Sequence, residues 1–89
     1  MLKLYRFFWD AGRQGHVEGV FAEDSETVKK SIGKDVHFGE ILGKHSEVQG
    51  ILEDEDLTIL CEDKDFIQKA TEYKLIPIGY NPLDYIETE

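Results

Sequence analysis

The sequence predicts a single small α+β domain, residues 1–89, with a mainly antiparallel sheet of four to six strands and two short helices in the order ββαβββα(β). Three observations lead there. Short apolar runs rich in aromatic and β-branched residues recur between turn residues, the composition of strands. Two stretches begin with a capping carboxylate or hydroxyl and continue with apolar residues at helical spacing. The connections between these runs are short, with no repeat, low-complexity tract or linker. A hydrophobic fraction of 40% is enough for a core, although a marginal one at this length.

Leu2–Trp9 is the first predicted strand. Its two faces are Leu2/Leu4/Arg6/Phe8 and Lys3/Tyr5/Phe7/Trp9, and both carry large rings. A strand apolar on both sides is covered on both sides. The two helices are expected to cover one face; the other then needs a second subunit, a second layer or a ligand. Asp10–Gly15 reads as a turn and His16–Ala22 as the hairpin partner. Asp24 or Ser25 can cap a helix over Ser25–Ile32, with Val28 and Ile32 as its apolar pair and Gly33 as its left-handed end. Val36–Leu42 and Glu47–Leu52 are the next strands, joined through Gly43-Lys44-His45-Ser46. Glu53–Asp56 is an acidic turn, and Leu57–Cys61 a further strand. Asp63 can cap a helix over Lys64–Tyr73 with Phe66, Ile67, Ala70 and Tyr73 on one stripe. Leu75–Gly79 returns as a short strand, and Tyr80–Ile86 is a turn docked by its apolar anchors.

Charge is unevenly placed. Residues 1–45 hold seven Lys/Arg and seven Asp/Glu; residues 46–89 hold three and twelve, so the whole net charge of −9 lies in the second half. Such a surface repels phosphate backbones and anionic lipids, which argues against direct nucleic-acid backbone binding and against membrane association. The lone Cys61 allows no intrachain disulfide, which fits a reducing compartment. Charges interrupt the N-terminal apolar residues every two or three positions, and no run approaches the roughly 20 residues of a membrane span. The expected location is cytoplasmic, or the host cytoplasm for a viral protein.

Two segments carry candidate ligand chemistry. In Gly39–Glu47, Gly43 frees the backbone for close approach, Lys44 brings positive charge, and His45 and Ser46 bring hydrogen-bond donors. A phosphate or carboxylate needs such groups. The order is not a P-loop, because His45 follows Lys44 and the context is strand. The plainer reading is a polar hairpin turn. In Trp9–His16, a ring for stacking and the Arg13 guanidinium lie close together. The plainer reading there is core aromatics running into a solvated turn. Together Trp9, Arg13, Gly43, Lys44, His45 and Ser46 form the candidate ligand-binding set. No catalytic residue stands out, since His45 beside Ser46 is not a triad and Cys61 closes an apolar strand. No metal set stands out either, since His37 and Glu40 point to opposite faces and no close ligand spacing occurs. No cofactor is indicated. The acidic face of Glu53–Asp56, Glu62, Asp63, Asp65 and Glu72 has two readings, solubility or a grip on a basic protein.

At Gly33–Val48 (GKDVHFGEILGKHSEV) and again at Asn81–Tyr85 (NPLDY), the sequence resembles a group of short, uncharacterised phage and bacterial proteins. The resemblance spans most of the chain and transfers no site residue. By analogy with small phage proteins that act against host defence, it implies sequestration of a nucleotide signal or blockade of a protein.

The expected function is therefore a non-enzymatic binding protein, of the phage anti-defence kind, that sequesters a small anionic, nucleotide-like signal. A homo-oligomer would supply both the cover for the aromatic face and the concavity. The alternative is an acidic, nucleic-acid-mimicking inhibitor of a basic host protein.

Overall fold

The computed structural model describes residues 1–43 and 47–86. Strands β1 (Leu2–Asp10) and β2 (His16–Asp24) pair antiparallel from Leu2 opposite Asp24 to Asp10 opposite His16. Their turn follows from its residues. Asp10 Oδ1 accepts the Gly12 N–H at 2.8 Å, and Gly12 and Gly15 take φ of 69° and 116°. A side chain would strain those backbone angles.

Helix α1 (Ser25–Ser31) starts where Asp24 accepts the N–H groups of Glu26 and Thr27 at 3.1 and 3.4 Å, so Asp24 is the cap. It ends at Gly33, φ 91°, whose N–H donates to the Leu52 carbonyl at 2.7 Å. Strands β3 (Asp35–Gly39) and β4 (Val48–Ile51) form a separate two-stranded antiparallel sheet. β3 stops at Gly39 instead of continuing to Leu42, because Gly39 turns to φ 80° and the pairing register shifts between His37 and Gly39. A short 3-10 turn, Asp54–Asp56, leads into β5 (Leu57–Cys61). Helix α2 (Lys64–Glu72) is capped by Asp63, which accepts from Asp65 and Phe66 at 3.0 and 3.4 Å. β6 (Ile78–Gly79) is the last strand. The main sheet is antiparallel with order β5-β1-β2-β6. The α+β class and the element order expected from the sequence are those found.

The covering of β1 differs from the expectation. The two helices do not share a face. Tyr5 and Phe7 are buried under Val28 of α1 and under Val36, Phe38, Val48 and Leu52 of the β3–β4 segment. Trp9 packs edge-on against Phe7 and Phe38, with centroids 5.1 and 5.5 Å away. Leu4, on the opposite face, is buried under Ile67 and Ala70 of α2 with Ile76. Of the three covers considered for the aromatic face, the chain supplies the second layer itself. Burial of Tyr5 and Phe7 thus gives no argument for another copy. The helical stripe on α2 is also narrower than expected. Ile67 and Ala70 are buried, but Phe66 and Tyr73 remain 54% and 73% exposed. A short helix lying over the Leu2/Leu4 end of the sheet offers only one contact line, and Phe66 and Tyr73 fall beside it.

The C-terminal segment is held by a close backbone approach. A Cβ added to Gly19 would overlap the Tyr80 main chain, and one added to Gly79 would overlap the Glu18 carbonyl. This contact seats the Tyr80 ring 5.6 Å from Phe38, and the Tyr85 ring lies 4.7 Å from Phe38. Asn81 accepts the Leu83 N–H at 2.9 Å and starts the 3-10 turn Pro82–Tyr85, with Pro82 buried. Gly19→Ala is therefore expected to lower stability by about 1–3 kcal/mol, as overpacking does. Urea unfolding checks this: Gly19→Ala should shift the midpoint strongly and redshift no tryptophan signal before the global transition. Phe7→Ala should cost about 3–5 kcal/mol, enough to unfold much of so small a domain.

Candidate functional site

Trp9 comes to the end of β1 with one ring edge against Gly50 of β4. A Cβ built on Gly50 would sit 3.4 Å from Trp9 Cη2, so the ring lies on the strand where it has no side chain. Beside the ring opens a cleft of about 480 Å³. β1 and its turn contribute Trp9, Asp10 and Ala11; the other wall is Glu47, Val48, Gln49, Gly50 and Ile51, with Glu53 and Asp56 at one end.

Four carboxylates therefore line the cleft beside one half-buried indole: Asp10, Glu47, Glu53 and Asp56. Among the described residues that line the cleft there is no Lys or Arg. His37 Nε2 is 3.8 Å from Glu47 Oε2, which gives Glu47 a partner only when the imidazole is protonated. Asp10 is held by the Gly12 N–H, and Asp56 Oδ2 accepts the Glu53 N–H at 2.9 Å, so two of the carboxylates are fixed in place by backbone. The acidic end is crowded. A side-chain hydrogen bond with Glu55, then the Glu55 charge, desolvation and the Asp56 charge, push the Glu53 carboxyl above the ordinary glutamate range. Among the described residues no three His, Cys, Asp or Glu side chains converge as metal ligands. The carboxylates are spread around the cleft, an arrangement suited to an extended organic cation.

Of the described candidate residues read from the sequence, one lines the cleft and two do not. Trp9 lies in the cleft. Arg13 is exposed in the 3-10 turn Gly12–Gln14 and does not line it. Gly43 is exposed and does not line it. Lys44, His45 and Ser46 lie outside the described residues. Asp10 belongs to the Trp9–His16 candidate segment, whereas Gln49, Gly50 and Ile51 line the cleft with no ligand reading in the sequence. One local signal did exist for Gly50, because a glycine inside a strand often marks a close approach by another group. No local signal could pair it with Trp9, forty-one positions earlier in the chain.

No family model, curated protein or solved structure matches the chain. No helix among the described residues is long and apolar enough to cross a membrane.

A carboxyl with a raised folded pKa favours the folded state while protonated; that contribution is complete below the ordinary glutamate range and is lost as pH rises through the raised value. At neutral pH the crowding thus works against the turn. In Glu55→Ala the Glu53 midpoint should fall back toward the ordinary range, as read by side-chain carboxyl carbon NMR. An unchanged midpoint would place the cause elsewhere.

Proposed function

We propose that the protein is a non-enzymatic binding protein whose acidic cleft grips a basic protein partner. A Lys or Arg side chain of the partner enters the cleft, meets the face of Trp9 and is ringed by Asp10, Glu47, Glu53 and Asp56. The observation that carries this reading is the pairing of an accessible indole with four carboxylates and no described lining cation. A cation over an indole gains about 0.5–1 kcal/mol at an exposed site and about 2 when desolvated. The surrounding negative field speeds encounter and selects against acidic partners. Asp54 and Glu55, in the same turn as Asp56, add to this field beside the cleft.

An anionic, nucleotide-like ligand is the competing reading. Trp9 offers it a stacking surface, but its phosphates would face the same four carboxylates. Repulsion at that range opposes binding unless cations intervene.

Trp9 is the chain's single tryptophan, so its fluorescence reports on the cleft directly. Titration with an arginine-rich peptide at low salt should change the emission saturably. The affinity should fall steeply as salt rises past about 0.15 M, where the screening length is about 8 Å. Asp10→Asn and Glu47→Gln should each weaken it severalfold without unfolding the chain. ATP and cyclic dinucleotides should leave the emission unchanged. A saturable nucleotide response with no peptide response reverses the assignment.

A further inference from the structure

We propose that the basic partner binds as an extended strand added to the free edge of β4. This rests on the basic-partner function above and adds the partner's conformation. Five consecutive residues, Glu47 to Ile51, border the cleft. A strand that shows a face to a cavity contributes alternate residues, because successive side chains point to opposite sides. Consecutive lining means that β4 presents its edge. β4 pairs with β3 on one side, and among the described residues no strand pairs with its other side. The outward N–H and C=O groups of that edge are the row of partners an added strand needs.

The two sides of this edge ask for different residues. Val48 is buried and Gly50 is covered by Trp9, so every second side chain of an added strand would lie toward the indole and Asp10. Those positions suit Arg or Lys. Ile51 is 50% exposed on the other side of the strand, beside exposed Gln49. Those positions suit an apolar residue. The matching segment alternates basic and apolar residues.

Charge also decides between this edge and the alternatives. A second copy pairing through β4 would bring another Asp10, Glu47, Glu53 and Asp56 against the first set, which repels it. Of the two outer strands of the main sheet, β6 has only two residues, and β5 borders a groove of about 390 Å³ whose charged lining is Lys3, Lys29 and Asp54. The two ammonium groups lie 3.0 Å from Glu62 and 3.7 Å from Glu26, so a basic strand there would meet two lysines and one carboxylate among the lining residues, against four carboxylates and no described Lys or Arg at the β4 cleft.

The test uses the full chain and three peptides: acetyl-Arg-Val-Arg-Val-Arg-Val-amide, the same peptide N-methylated at alternate amides along one edge, and the same peptide N-methylated along the other edge. Trp9 fluorescence gives affinity, and hydrogen exchange of the chain gives location. The proposal expects saturable binding of the first peptide and at least a tenfold loss on methylation along one edge but not the other. It also expects slowed exchange at the β4 amides that β3 leaves unpaired. Equal binding of the methylated peptides overturns strand addition while leaving the acidic grip standing. Protection at β5 instead of β4 overturns it as well. Absence of any binding sinks both readings. A peptide-free dimer by light scattering, with β4 amides already protected, shows that a second copy occupies the edge and overturns the proposal.

Discussion

The structure depends on the need to cover both faces of β1. This strand is the hub of the sheet, with β2 on one side and β5 on the other, and it carries apolar side chains up and down. Fully burying one large apolar side chain is worth about 1.5–3 kcal/mol, comparable to a sizeable share of the stability of a small domain. An uncovered face would leave the chain without enough core to fold. The molecule meets the need with unequal means: a single helix over the Leu4 side, and a helix plus a second small sheet over Tyr5 and Phe7.

That unequal cover creates the candidate site. The β3–β4 segment must lie close enough to seal Phe7 and Phe38, and Gly50 lets the Trp9 ring rest on β4. The small sheet has only two strands, so covering the core with it leaves β4 with an open side. The turn at Asp54–Asp56 must then carry the chain back to the main sheet, and it brings Asp56 and the preceding Glu53 to the end of the same opening. Cleft, indole and negative charge thus meet at one place because of how the core is closed.

Beyond α2, the outer face of the sheet is dressed by the chain's own side chains. The Arg6 guanidinium lies 5.2 Å from the Phe8 centroid and 2.9 Å from a Glu18 carboxylate oxygen, while the Phe8 ring stacks on His16. These pairs shield part of Phe8 from water without a covering element. They are exposed contacts and contribute little to stability individually.

Local chemistry made much of the fold legible. Asp24 and Asp63 mark helix starts because a short carboxylate can accept free N–H groups, and Gly12, Gly15 and Gly33 mark places where only glycine adopts the backbone angle comfortably. Alternation along Leu2–Trp9 announced a strand that must be buried twice. The amino acids in order thus determined the element types, their succession and the acidic character of the second half. Tertiary structure alone decided which cover went to which face, that Phe66 and Tyr73 would miss the sheet, that Trp9 would line the cleft and Arg13 would not, and that β4 would border an acidic cleft. The physical reason is range. Caps, turns and periodicity act within a few residues, whereas the choice of partner for each face is settled by packing among segments tens of residues apart, where competing arrangements differ only in how well side chains fit.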